Sequence, residues 1–104
     1  MVARIQGSQR PCREIFKALS DETRWLLVRE LLRRPLTVGA LAEALSITHY
    51  NISKHLKVLR EAGIVVMRRE GRHVIACLNP AVAPHSRTES GGWVIELGCC
   101  EVRF

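Results

Sequence analysis

Directly after Thr48, the chain places His49, Tyr50, Asn51, Ser53 and Lys54 within a few positions, and His55 and Lys57 follow at once. Imidazole, phenol, amide, hydroxyl and ammonium groups at this density supply the donors and acceptors that read base edges and bind phosphates. A second chemistry is carried by Cys12, Cys77 and the adjacent Cys99 and Cys100. Thiolates are soft ligands that suit thiophilic ions, and metal binding displaces their protons. Trivalent arsenic and antimony favour three sulfur donors in a pyramid. Cys99 and Cys100 would give two, with Cys77 or Cys12 as the third. Neighbours on a regular strand point to opposite faces, so the backbone must kink there, and Gly98 makes a kink inexpensive.

Enzyme chemistry finds little footing. There is no Cys-X-X-Cys pair, no glycine-rich phosphate loop and no convincing general base placed beside a cysteine. No constitutive cofactor is expected. With 104 residues and 47% hydrophobic content, the chain can form one small domain whose limited burial invites dimerisation. A net charge of +6 attracts polyanions. Its placement is more telling: between Thr48 and His73 stand Lys54, Lys57, Arg60, Arg68, Arg69 and Arg72 against Glu61 and Glu70. Arg4, Gln6, Gly7 and Ser8 interrupt any secretion signal, and no run reaches membrane-spanning length. A cytoplasmic protein with reduced thiols and no membrane partner is expected.

The elements that position these groups follow from caps and periodicity. Residues 1–8 read as a flexible tail. Pro11 suits the first turn of a helix over Cys12–Leu19, with Ile15, Phe16 and Leu19 on one face. Ser20 and Asp21 are N-cap candidates for a second helix reaching Arg34, with Trp25, Leu26, Val28, Leu31 and Leu32 on its apolar side. Pro35 stops it. Thr37 caps a third helix that turns Leu41 and Leu45 inward. Thr48 caps a fourth in which Ile52, Leu56 and Leu59 recur at helical spacing, ended by Gly63. The period then changes: Ile64–Arg69, a turn at Glu70 and Gly71, and Arg72–Leu78 form a β-hairpin closed by Asn79 and Pro80.

With the apolar stripe of the fourth helix inward, the opposite face offers His49, Tyr50, Asn51 and Ser53 to base edges, and Lys54, His55 and Lys57 to the DNA backbone, joined there by Arg69 and Arg72 of the hairpin, with Thr48 at the DNA-binding start of the helix. The expected fold is mainly α with a small β-hairpin: a winged helix-turn-helix of about four helices plus wing, occupying residues 9–80. Residues 81–104 read as a linker, to about 92, and a cysteine-containing tail. Gly98 and β-prone neighbours favour strand over helix from Trp93 to Phe104.

Ala18 to Arg24, Ile52 to Val65, and Arg68 to Arg72 leading to Leu78, Asn79 and Pro80 together resemble the ArsR/SmtB family of bacterial metal- and stress-responsive repressors, over roughly residues 12–80. The resemblance implies a homodimer that occupies a palindromic, double-stranded operator and dissociates when an inducer binds. The family's best-known arsenic site is a cysteine cluster at the start of the helix before the recognition helix, where this chain has Leu36, Thr37 and Val38. Zinc-sensing members carry paired Asp and His ligands in a C-terminal helix; this tail offers His85, Glu89 and Glu96. An As(III)- or Sb(III)-released repressor, possessing its own thiolate site, is therefore the leading expectation. The alternative is a repressor that senses oxidants or sulfane sulfur through a disulfide or polysulfide joining Cys99 or Cys100 to Cys77 or Cys12. Coupling would run through a dimer interface including Ile15, Phe16 and Leu19, or through the wing at Cys77.

Overall fold

The computed structural model describes residues 12–82, 84–87, 91–97 and 101–104, with nothing of the side chains of 84–87. The N-terminal tail expected over residues 1–8, and the kink expected at Gly98, Cys99 and Cys100, lie outside the described residues. Helices α1 (Cys12–Leu19), α2 (Glu22–Arg33), α3 (Val38–Leu45) and α4 (His49–Glu61) are followed by strands β2 (Val65–Glu70) and β3 (His73–Leu78). A short strand β1 (Leu36–Thr37) precedes α3, and β4 (Pro84–Arg87), β5 (Trp93–Glu96) and β6 (Glu101–Arg103) complete the chain.

Helices α2, α3 and α4 each start where a short polar side chain replaces a missing backbone partner. The Asp21 carboxylate accepts from the Arg24 N–H at 3.0 Å, the Thr37 hydroxyl from Ala40 N–H at 3.1 Å, and the Thr48 hydroxyl from Asn51 N–H at 3.1 Å. Between α3 and α4, Ser46 adopts the left-handed conformation (φ 56°, ψ 45°), and the Ile47 N–H returns to the Ala42 carbonyl at 3.0 Å. That turn fixes the angle between the two helices. A Cβ added at Gly39 would stand 3.5 Å from His49 Nε2, so the starts of α3 and α4 pass close together.

The core is continuous. Leu27, Val28, Leu31 and Leu32 of α2 meet Leu41 of α3, Ile52, Leu56 and Leu59 of α4, and Ile64, Val65 and Ala76 of the hairpin. Leu27, fully buried, belongs to the apolar side of α2, while Trp25 and Leu26 sit at its half-buried margin. The β2–β3 ladder runs from Val65↔Leu78 to Glu70↔His73, so the turn holds Gly71 and Arg72, one residue later than expected. Gly71 has φ 61°, a value at which a glycine carries no Cβ penalty. Asn79 closes the hairpin, its Nδ2 donating to the Gly63 carbonyl at 2.9 Å and its N–H to the Ile64 carbonyl at 2.8 Å. β1 adds a third antiparallel strand, giving the order β1-β3-β2.

The C-terminal segment differs from the expectation in one part. Within the stretch expected as a linker, Pro84–Arg87 forms an edge strand of a second antiparallel sheet, ordered β4-β5-β6. Proline is tolerated at a strand start on an edge, so Pro84 did not forbid it. The strand character expected from Trp93 onward is present as β5 and β6. This sheet lays Ile95, Leu97, Val102 and Phe104 against Ile15, Leu19 and Val28, and Trp25 stacks on Phe104 with ring centroids 4.1 Å apart. Ile15 and Leu19, expected at a dimer interface, are instead buried within the chain; Phe16 alone of that trio is exposed, at 46%.

Candidate nucleic-acid interface

At 100° per residue, an inward stripe of Ile52, Leu56 and Leu59 turns Tyr50, Lys54 and Lys57 to the opposite side of α4, with Asn51 and Ser53 on its flanks. The structure follows this geometry. His49, Tyr50, Asn51, Ser53, Lys54 and Lys57 are all exposed, Tyr50 to 71%. Lys54 Nζ lies 5.4 Å from the Tyr50 ring centroid, a cation–π contact that holds both side chains in one patch. No acidic residue occupies the first turn of α4. The partial positive charge of that helix end is therefore open to an anion or a base-edge acceptor.

Two of the expected contact residues have structural duties. The Thr48 hydroxyl is engaged as the N-cap of α4. His55 is only 26% exposed, and its Nδ1 faces inward, 3.2 Å from Arg24 Nη1 and 3.8 Å from Asp21 Oδ2. Asp21 and Arg24 are thus joined to the exposed helix, a role that sequence reading missed because it depends on a tertiary contact between α2 and α4. The Asp21 carboxyl is held below the usual carboxylate range, chiefly by the N–H of Arg24 and then by the nearby His55 and Arg24 charges, against the opposing effect of burial.

At the wing, Arg68 pairs with Glu70 at 2.8 Å across an exposed surface. Arg69 and Arg72 project from the same tip, exposed and in no ion pair among the described residues, so their charge faces solvent. The four helices, the turn at Ser46 and a basic hairpin beside the exposed face of α4 define a winged helix-turn-helix DNA-binding protein.

The thiols are distributed differently. Cys12 is disulfide-bonded, and its Sγ lies 3.9 Å from the Leu97 carbonyl oxygen. Cys77 is free and half-buried, its Sγ 3.7 Å from the Val66 carbonyl across the hairpin. Cys99 and Cys100 lie outside the described residues. Among the described residues, no group of three His, Cys, Asp or Glu side chains is placed to hold a metal ion.

Residues 12–68 match a helix-turn-helix domain family. The chain is 42% identical over 72 residues to the HTH-type transcriptional regulator YuzN of Bacillus subtilis, covering 62% of this chain and 78% of that one. It is also 42% identical over 69 residues to the arsenic resistance transcriptional regulator ArsR1 of Pseudomonas putida, covering 65% of this chain but 54% of that relative. The homodimeric winged helix-turn-helix DNA-binding domain of Mb0332 from Mycobacterium bovis, a possible ArsR-family regulator, superposes with a TM-score of 0.63 at 26% identity, over 65% of this chain and 63% of that one. The chain belongs to the ArsR/SmtB family of transcriptional repressors. It is a DNA-binding regulator and not an enzyme. No described helix is long and apolar enough to cross a membrane.

Proposed function

We propose that the chain is a cytoplasmic homodimeric repressor that occupies a palindromic operator and is released by As(III) or Sb(III). In this reading, residues 9–80 bind DNA and residues 81–104 sense the inducer. The observation that carries the DNA half is the exposure of His49, Tyr50, Asn51, Ser53, Lys54 and Lys57 on α4, whose first turn is free of acidic side chains. Tyr50, Asn51, His49 and Ser53 meet base edges. Lys54, Lys57, Arg69 and Arg72 meet phosphates, and His55 meets one from the flank of the helix. Replacing Lys57 by Ala should reduce the salt slope of operator binding by about one counterion while leaving sequence preference in place.

For the inducer, Cys99 and Cys100 supply two thiolates. Cys77, the free thiol among the described residues, is the third donor; Cys12, which is disulfide-bonded, would serve only after reduction. Soft donors from these residues suit a thiophilic metalloid. Arsenite should dissociate the wild-type complex in a fluorescence-anisotropy titration, while Cys99→Ser combined with Cys100→Ser should bind the operator normally and ignore arsenite. Release of that double variant by arsenite would place the sensor elsewhere.

One observation favours a second reading. Cys12 is in a disulfide, and a disulfide sulfur is not a thiolate ligand. A repressor sensing oxidants would couple two thiols with a peroxide, forming one S–S bond and two waters. Peroxide titrated in parallel with arsenite, antimonite, zinc and cadmium separates the two readings.

A further inference from the structure

Arg24 holds three helices at one point. Its Nε donates to the Ala18 carbonyl near the end of α1 at 2.6 Å, its Nη1 reaches His55 Nδ1 on α4 at 3.2 Å, and its backbone N–H caps into Asp21 at 3.0 Å. A guanidinium has donors only. The contact with His55 is therefore a hydrogen bond only when Nδ1 carries no proton, which leaves the ring proton of the neutral imidazole on Nε2. The opposite arrangement, Nδ1–H donating to Asp21, is disfavoured twice. The 3.8 Å separation from Asp21 Oδ2 is beyond hydrogen-bond range, and that proton would face the guanidinium 3.2 Å away.

We propose that Arg24 is a positioning residue for operator binding: it fixes His55 in the Nε2–H tautomer, so that the outer edge of the ring donates to a DNA phosphate oxygen. This rests on the reading of α4 as the DNA-facing helix. Asp21 supports the arrangement by holding the start of α2, and with it Arg24, in place. His55 is next to Lys54 and two residues before Lys57, and with 26% of its side chain exposed it has an open edge for a partner. Lysine could not replace Arg24, because the planar fork bridges the Ala18 carbonyl and the imidazole at once. A neutral donor displaces no counterion, so His55 should contribute affinity without salt dependence, the opposite signature to Lys57.

The test begins on the wild-type protein without DNA. Long-range 1H–15N correlation spectra of 15N-histidine-labelled protein, at mildly alkaline pH, should show His55 with Nδ1 unprotonated and Nε2 protonated; Arg24→Lys should convert this to a mixture. In operator titrations, His55→Phe should weaken binding about tenfold with an unchanged salt slope. Adding Arg24→Lys to His55→Phe should cost less than the sum of the two single losses, since both variants remove the shared Arg24–His55 contact. A wild-type Nδ1–H tautomer, a wild-type affinity for His55→Phe, or additive losses in the double variant would each overturn the proposal. If Arg24→Lys unfolds, the wild-type spectrum and His55→Phe still decide. Wild-type protein that binds no duplex overturns the DNA reading and the phosphate contact together, whereas a bound duplex with the wrong tautomer overturns the role of Arg24 alone.

Discussion

The winged-helix body and the C-terminal sheet are held by different physics. In the body, fully buried Leu27, Leu41, Ile52 and Leu59 interlock from three helices, and side-chain caps at Asp21, Thr37 and Thr48 complete the helix starts. The sheet of β4, β5 and β6 adheres through one apolar seam, Ile95, Leu97, Val102 and Phe104 against α1 and α2. The helix-turn-helix match covers residues 12–68, so the sheet lies beyond it. A reading body joined through an apolar seam to a separate C-terminal sheet, the segment proposed above to sense the inducer, would let the second change chemistry while the first keeps its geometry.

Core substitutions test that division with the largest effects. Leu59→Ala, in the body, should lower unfolding stability by about 2–5 kcal/mol in urea titration and abolish operator binding at physiological temperature. Ile95→Ala, in the seam, should also destabilise but leave the operator affinity of the folded protein unchanged. Equal loss of DNA binding from both would erase the distinction. Next in size, Tyr50→Ala or Asn51→Ala should each weaken specific binding by about 1–3 kcal/mol in anisotropy titrations, with nonspecific binding preserved.

Asp21→Ala should cost about 0.5–2 kcal/mol at neutral pH. Because the folded state depresses the Asp21 carboxyl, its contribution is present above the ordinary carboxylate range and is lost as the pH falls through the depressed value. The stability gap between wild type and variant, followed by urea unfolding at a series of pH values, should therefore close in acid. Ser46→Gly should have the smallest effect, a gain of up to about 1 kcal/mol, since Ser46 occupies left-handed backbone that costs an L-residue more than glycine. Destabilisation by that change would mean Ser46 makes a compensating contact.

What could be read before the structure was local. Caps at Asp21, Thr37 and Thr48, the left-handed Gly63 (φ 83°) and the stripe of Ile52, Leu56 and Leu59 are each set by neighbours a few residues away. β1 escaped notice because two residues carry no period, and it exists only by pairing Leu36 with Ala76 and Thr37 with Ile75. β4 escaped because a strand headed by proline reads as a loop until β5 is placed beside it. The link from Arg24 to His55 spans 31 positions and depends on how α2 crosses α4. On the exposed face, by contrast, residue type and helical phase sufficed to select Tyr50, Asn51, Lys54 and Lys57.

The central claim is that the outer face of α4 and the tip of the wing meet duplex DNA. It is tested most directly by amide chemical-shift mapping of the 15N-labelled protein with an inverted-repeat duplex taken from upstream of its own gene. The account predicts that the largest shifts fall on residues 48–57 and 69–72, with one duplex bound per two chains. Perturbations confined to the C-terminal sheet, or none at all, would contradict it.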